Sequence, residues 1–207
     1  MEYKQSSLLN FSQLTFLSQY LFSNSIIAGG CFKNIFNHEK IKDLDIFFHD
    51  GESYAKAINS IESNTRYSHV YTTDKVSCYK DNFYDIKLEL NNFCFPKSSS
   101  DLLDQFDFTI CKFAICNEKI FEENKIDFRW ETKVYYHKDF FEHLSLKRLV
   151  ADDNLLYPAS SFDRMIKYIK YGFYPCLETK IKIIEALRSL SEFDSKSLTK
   201  SLYGGLD

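Results

Sequence analysis

The segment that most constrains this chain is IIAGGCFKNIFNHEKIKDLDIFF, which spans residues 26–48. In it, the pair Gly29–Gly30 precedes a short amphipathic run, and an apolar stretch that carries Asp43 and Asp45 follows. Side chains alternate along a β-strand, so we expect these two carboxylates on one face. Like charges that close together are costly to bury unless something positive lies between them. The segment therefore predicts a strand that binds a divalent cation.

Length and composition narrow the classes of protein. The 207 residues suit one domain, or a domain with a small helical appendage, and a hydrophobic content of 44% is enough to build a core. The formal net charge of −3 excludes the global basic field of a nucleic-acid coat protein. Any contact with nucleic acid must therefore come from a local patch.

Six cysteines occur without a CxxC pair or a zinc-ligand spacing. The sequence has no signal peptide and no apolar run long enough to span a bilayer. These features predict reduced thiols in a cytoplasmic protein that has no membrane partner, and they leave the oligomeric state open.

The order of hydrophobic patterns predicts an α+β fold, with a mixed sheet flanked by helices and followed by a small helical C-terminal part. We place the boundary near Tyr136, with a catalytic domain over 1–136 and a helical region over 137–207. SSLLNFSQLTFLSQYLFSN predicts an opening helix, FYDIKLEL and DFTICKFAIC predict strands, and the stretch 118–134 is ambiguous but resembles a hairpin. SSFDRMIKYIKY, closed by Gly172, predicts a helix.

The third carboxylate of the cation site is left open between two residues. In FYDIKLEL, the alternation places Asp85, Lys87 and Glu89 on one face. If this strand pairs near DLDIFF, either Asp85 or Glu89 joins Asp43 and Asp45, and we assign Asp85 first. Hard oxygen ligands suit Mg²⁺ or Mn²⁺, and two such ions activate an attacking hydroxyl and stabilise a leaving pyrophosphate.

The glycine pair supplies the other half of the predicted site. Without a Cβ, Gly29 and Gly30 let the backbone approach a phosphate closely. The helix that follows directs its free amides at that anion, and Lys33 adds a positive charge. A tight turn without ligand contact is the alternative reading of these glycines.

A glycine pair, a short helix and Asp-x-Asp on a strand resemble the nucleotidyltransferase superfamily of the DNA polymerase β type. The resemblance is closest to the head domain of the tRNA nucleotidyltransferase and poly(A) polymerase family. QFDFTICKFAI is similar to that family's R-R-D-F-T-I-N-A-L segment, and RMIKYIKYGF is similar to its R-A-I-R-F-A-A-x-x-G-F helix. The three segments occur in the family's order and span most of residues 26–173.

The resemblance implies an enzyme that moves a nucleoside monophosphate from an NTP to a hydroxyl, first of all at an RNA 3′ end. The alternatives are a protein hydroxyl, as in toxin or phage-conflict systems, and an inactive module that binds nucleotide or RNA. It also implies that Asp107, Arg164 and Lys167 contact the nucleotide, although a strand cap and a solvated helix face explain them equally well. The family's E-D-x-x-R template is YPASS here, at residues 157–161, which leaves the choice of NTP open.

Overall fold

The structure, a computed structural model, describes residues 3–121 and 128–190. The chain forms two compact units. Of the described residues, the sheet unit comprises 3–103, 113–121 and 128–136, and the helical unit comprises 104–112 and 137–190. The sequence assigns 104–112 to the first domain, whereas in the structure this stretch clusters with the helical unit. The roles of catalytic head and helical neck stay a prediction.

The sheet unit is built on eight strands in the order β1-β8-β7-β2-β3-β6-β5-β4. Strands β3 and β6 are parallel, while β2–β3, β2–β7, β7–β8, β4–β5 and β5–β6 are antiparallel. The predicted α+β class with a mixed sheet is therefore confirmed. The strands are β1 Tyr3–Ser7, β2 Ser25–Ala28, β3 Asp43–Phe48, β4 Tyr67–Thr72, β5 Val76–Asp81, β6 Ile86–Asn91, β7 Phe113–Phe121 and β8 Phe128–His137.

The helices lie between and after these strands. They are α1 Cys31–Phe36, α2 Gly51–Glu62, α3 Ser99–Leu103, α4 Phe140–Ser145, α5 Pro158–Lys170 and α6 Leu177–Arg188. In the helical unit, the short strands β9 Arg148–Leu149 and β10 Tyr174–Pro175 pair in parallel. None of the helices within the described ranges is both long and apolar enough to cross a bilayer.

Strand β2 lies at the centre of the core, and all four of its residues are buried. This explains why SIIA is continuously small or apolar instead of alternating. The sequence also explains where α2 begins. Asp50 caps the N-terminus of α2 by accepting a hydrogen bond from the Ser53 amide at 2.7 Å. Ala57 and Ile61, one helical turn apart, are the apolar residues that α2 buries. All six cysteines are free thiols, as the sequence predicts.

The predicted opening helix is present as two 3₁₀ segments instead of one α-helix, and a strand precedes it. Strand β1 is followed by 3₁₀ helices over Leu8–Asn10 and Ser12–Tyr20. Leu14, Leu17 and Tyr20 are fully buried and lie three residues apart, which matches the three residues per turn of a 3₁₀ helix. The α-helical period fits this spacing almost as well over so short a run.

Two predicted strands also begin later than the sequence indicates. DFTICKFAIC contains a 3₁₀ turn at Thr109–Cys111 before β7 begins at Phe113. In FYDIKLEL, the strand β6 begins only at Ile86. The tentative hairpin over 118–134 corresponds to the antiparallel pair β7–β8, and its connection at 122–127 lies outside the described residues.

Candidate active site

The two glycines form the turn between β2 and α1, and they differ in conformation. Gly29 has a φ of 100°, in the left-handed region that favours glycine, and its N–H donates to the Phe113 carbonyl at 3.1 Å. Gly30, the N-cap of α1, has a φ of −68°, which any residue can adopt. Because α1 has only six residues, its dipole contributes little. The phosphate hypothesis therefore rests on Gly30, where the backbone conformation does not itself require a glycine.

Two substitutions distinguish the role of the glycines in the turn from a role in binding phosphate. Gly29→Ala is expected to lower the free energy of unfolding by roughly 1 kcal/mol or more, because a Cβ is strained at positive φ. Gly30→Val is expected to weaken binding of a non-hydrolysable NTP by about tenfold or more, because its branched side chain would block close approach to the backbone. Titration calorimetry with Mg²⁺ present measures this, with Gly30→Ala as the smaller matched change. Equal affinities of folded Gly30→Val and wild type would mean that the glycine serves only the turn.

Asp43 and Asp45 lie at the start of β3, on the face opposite to the fully buried Leu44. Asp43 is exposed and Asp45 is half-buried. Across the sheet, Asp45 pairs with Ala28, the residue before the glycine turn. The carboxylate pair thus lies one residue away from the glycines, as the sequence predicts.

Cys31 is the first residue of α1, and the pKa of its thiol depends on burial and on the two nearby carboxylates. Burial raises the pKa of its thiol well above the ordinary value, and the charges of Asp45 and Asp43 raise the pKa further. The geometry agrees, because Asp45 pairs with Ala28, which lies three residues before the beginning of α1. The glycine turn and the carboxylate pair therefore border the same region of the sheet unit.

Asp85 is not on a strand. It adopts a positive φ of 57° in the turn between β5 and β6 and is exposed. Its carboxylate accepts hydrogen bonds from Lys40 at 2.7 Å and Lys80 at 2.8 Å, which lower its pKa to about 2. Alternation along the strand predicts that Asp85 lies on the face of Asp43. This prediction fails because β6 begins at Ile86, one residue after Asp85.

Glu89 occupies the position beside Asp45. The parallel register of β3 and β6 pairs Asp45 with Glu89 and Asp43 with Lys87. Side chains at paired positions share a face, so Glu89 joins the two aspartates, with Lys87 next to them. Of the two residues that the sequence leaves open, the register thus favours Glu89 as the third carboxylate.

A bulge in the edge strand β4 adds a residue that the sequence does not reveal. His69 pairs with Tyr79, but the register then shifts, and Tyr71 pairs with Cys78. In a regular strand Tyr71 would share the face of His69, whereas the bulge moves it to the face of Cys78 and Glu89. Its hydroxyl donates to Glu89 Oε1 at 2.7 Å. Tyr71 therefore positions Glu89 on the carboxylate face.

The chemistry of these donors fits Mg²⁺, and Mn²⁺ accepts the same oxygen ligands. Within the described ranges, no group of three His, Cys, Asp or Glu side chains is placed to hold a metal ion. Mg²⁺ does not require such a group, because it uses one or two carboxylates and completes its shell with water and substrate phosphates. Asp43 and Asp45 would hold the ion, with Glu89 beside them.

Lys33 is buried, with its ammonium against Asn34 and 3.5 Å from Glu39. The carboxylate of Glu39, which lies like Lys33 between β2 and β3, therefore partly offsets the charge of Lys33. The contact of Lys33 with phosphate stays a prediction.

In the helical unit, Asp107 and Arg164 form a buried ion pair. Arg164 Nε donates to Asp107 Oδ2 at 3.0 Å, and Nη2 contacts the same oxygen. Both residues are at most 6% exposed. Burial would lower the pKa of Arg164, but the charge and hydrogen bonds of Asp107 raise it. Such a pair accounts for both residues without a nucleotide.

The predicted faces of α5 are partly wrong. We expect Arg164 and Lys167 on a solvated side, with Ile166 and Ile169 inside. In the structure Arg164 is buried, Ile166 and Ile169 are 38% and 44% exposed, and of the two basic residues only Lys167 is exposed. The reason is the long-range ion pair with Asp107, which draws the Arg164 side of the helix inward.

Comparison with protein families supplies a further finding. The family model described as Gad2, Gabija anti-defense 2 family protein, matches residues 2–147. A curated relative, Gabija anti-defense 2 of Bacillus phage SPbetaL7, is 27% identical over 146 residues, which are 70% of this chain and 33% of that protein. The chain thus spans about a third of the length of this relative.

Solved structures of similar fold are CCA-adding enzymes. The apo form I structure of a CCA-adding enzyme matches with a TM-score of 0.55 at 14% identity, over 89% of this chain and 46% of that one. The Bacillus stearothermophilus enzyme in complex with CTP gives 0.54 at 14%, over 93% and 47%. The Thermotoga maritima enzyme complexed with tRNA gives 0.52 at 15%, over 97% and 48%. At these identities the likeness confirms the nucleotidyltransferase-type fold, and the chain spans less than half of each enzyme.

Proposed function

Because this chain belongs to the Gabija anti-defense 2 family, we propose that it is a nucleotidyltransferase that acts in the cytoplasm during the conflict between a phage and a host defence. It moves a nucleoside monophosphate from an NTP to an acceptor hydroxyl, with Mg²⁺ or Mn²⁺ as cofactor. The observation that carries the proposal is the sheet register that pairs Asp45 with Ala28, the residue before the glycine turn.

The transfer forms one bond and breaks one. The acceptor oxygen bonds to the α-phosphorus, the bond from that phosphorus to the bridging oxygen breaks, and pyrophosphate leaves with the electron pair. The hydroxyl proton passes to solvent. When bound, the divalent ion would stabilise negative charge on the phosphates and lower the pKa of the attacking hydroxyl.

The residues of the chain divide these tasks. Asp43 and Asp45 supply the oxygen ligands for the ion, and Glu89, held by Tyr71, is the third carboxylate beside them. Gly30 leaves room for the triphosphate to approach the backbone. Lys87, which pairs with Asp43 in the sheet register, adds positive charge next to the carboxylates.

Two acceptor classes fit different observations. An RNA 3′ end follows from the resemblance of the motifs to tRNA nucleotidyltransferases. A protein hydroxyl is the phage-conflict alternative, which the family description fits, because a charged nucleotide added to a defence protein can inactivate it. The intact Asp43–Asp45 pair disfavours the inactive binding module.

The decisive experiment offers the purified protein each of the four NTPs, labelled at the α-phosphate, with Mg²⁺ or Mn²⁺. Total RNA, or a lysate of cells that express a Gabija system, supplies the acceptor. We expect label in a macromolecule, and digestion with RNase or protease identifies its class. The Asp43→Asn/Asp45→Asn double variant is the control and should transfer no label. No incorporation by wild type with any NTP, either metal and both acceptor sources would identify an inactive binding module.

A further inference from the structure

The turn between β5 and β6 exposes two aromatic rings at a cavity. Phe83 is 77% exposed and Tyr84 is 48% exposed, and their rings meet edge to face with centroids 4.7 Å apart. Together with Arg66 and Asn82 they line a cavity of about 520 Å³. Two adjacent exposed rings that line one cavity form an apolar patch that a ligand can cover.

The turn is held in place by one buried carboxylate. Asp81 is fully buried and accepts hydrogen bonds from the amides of Phe83 at 2.9 Å and Tyr84 at 3.4 Å. It also accepts from the Tyr20 hydroxyl at 2.7 Å and from Arg66 Nε at 2.9 Å. The rings are therefore presented by a fixed backbone, which reduces the entropy lost when a ligand binds.

Arg66 adds a flat guanidinium to the cavity wall. Its guanidinium lies 5.2 Å from the ring centre of Tyr84, 5.4 Å from that of Tyr67 and 5.7 Å from that of Tyr20. The charge of Arg66 is already offset by Asp81. A nearly neutral site with several flat surfaces suits a planar ring, such as a nucleobase, better than it suits a phosphate.

Positive charge that can meet phosphates lies at the other end of the same turn. Lys40 and Lys80 both contact Asp85, at 2.7 and 2.8 Å, so two cations share one anion. Their side chains are 72% and 42% exposed. Aromatic rings next to exposed lysines are the combination by which proteins bind single strands, since bases stack on the rings and the backbone meets the charges.

The turn is also close to the carboxylate pair. Strands β3 and β6 are parallel, so the turn that leads into β6 lies at the end of the sheet where β3 begins. Lys87, which pairs with Asp43, is two residues beyond Asp85, and its N–H donates to the Lys42 carbonyl at 3.1 Å. A strand bound at the turn can therefore extend towards Asp43.

We propose that this turn is a binding site for single-stranded nucleic acid, in which a base stacks on the face of Phe83, beside Tyr84, while phosphates meet Lys40 and Lys80. Its role is to hold the acceptor strand, and this role, although not the binding itself, rests on the proposed transferase function.

The test measures binding without catalysis. A fluorescein-labelled 12-nucleotide RNA of mixed sequence is titrated with the Asp43→Asn/Asp45→Asn variant at low salt, without NTP, and anisotropy is recorded. We expect the added change Phe83→Ala/Tyr84→Ala to weaken binding by about tenfold or more, and Phe83→Tyr to preserve it. Lys40→Ala/Lys80→Ala should reduce the dependence of affinity on salt. Phe95→Ala, which removes another exposed ring of the same unit, is the matched control.

Several results would overturn the site. Equal affinity of the Phe83→Ala/Tyr84→Ala variant, equal binding of an abasic strand or a duplex, or no binding by the parent variant each contradict it. Loss of label transfer to a protein in Phe83→Ala/Tyr84→Ala, with RNA binding retained, would instead identify a protein-docking surface. Because binding is measured in a variant that lacks the carboxylates, failure of the transferase proposal leaves this result unchanged.

Discussion

Asp45→Asn is expected to lower the rate of nucleotidyl transfer by about a thousandfold or more, with the fold preserved. Asp45 lies next to both Ala28 and Glu89 in the sheet register, so it is the central carboxylate of its face. An amide keeps the size of the side chain but loses the charge that holds a divalent ion. The rate is measured by incorporation of labelled NMP under single-turnover conditions, and circular dichroism checks the fold. Asp43→Asn is expected to behave in the same way.

Two further variants identify the third carboxylate. Glu89→Gln is expected to reduce transfer strongly, because Glu89 pairs with Asp45 and is oriented by Tyr71. Asp85→Asn, the matched control, is expected to stay within about threefold of wild type, because exposed ion pairs contribute little. The reverse order would restore Asp85 as the metal ligand. Activity of both Asp43→Asn and Asp45→Asn within about tenfold of wild type would overturn the metal site as a whole.

The sequence predicts those features of the candidate site that depend only on residues close together in the chain. Alternation along β3 depends only on the residues of that strand, so the placement of Asp43 and Asp45 on one face follows from the pattern alone. The short distance in sequence between the glycines and this strand fixes their proximity in the same way. Strand register, in contrast, depends on the partner strand, and this explains why Asp85 and Glu89 could not be distinguished.

The features that the sequence does not predict depend on contacts between distant residues. The bulge that turns Tyr71 towards Glu89 is a property of the pairing between β4 and β5, and nothing in HVYTT indicates it. The same holds for α5. Its hydrophobic pattern predicts that Ile166 and Ile169 face inward, whereas in the structure Arg164 faces inward because its ion-pair partner is buried. The partner, Asp107, lies 57 residues earlier in the chain.

That ion pair gives the prediction with the largest expected effect on stability. Arg164→Ala is expected to lower the free energy of unfolding by about 3–5 kcal/mol, because it leaves the carboxylate of Asp107 buried without its partner. Urea denaturation of the full chain, followed by circular dichroism, measures the change. Lys167→Ala, on the exposed side of the same helix, is the matched control and should change stability by less than about 0.5 kcal/mol. A loss below about 1 kcal/mol for Arg164→Ala would contradict the buried pair.

A double variant then separates a structural role from nucleotide binding. Asp107→Leu/Arg164→Met replaces both charges by apolar side chains of similar volume, and buried ion pairs replaced in this way often lose little or no stability. If the pair is structural, the folded double variant should bind a non-hydrolysable NTP as tightly as wild type, although Arg164→Ala alone is strongly destabilised. If Arg164 and Asp107 contact the nucleotide, as the family resemblance implies, the double variant should remain folded and lose affinity. Because stability and affinity move independently in this pair of variants, the two roles cannot produce the same result.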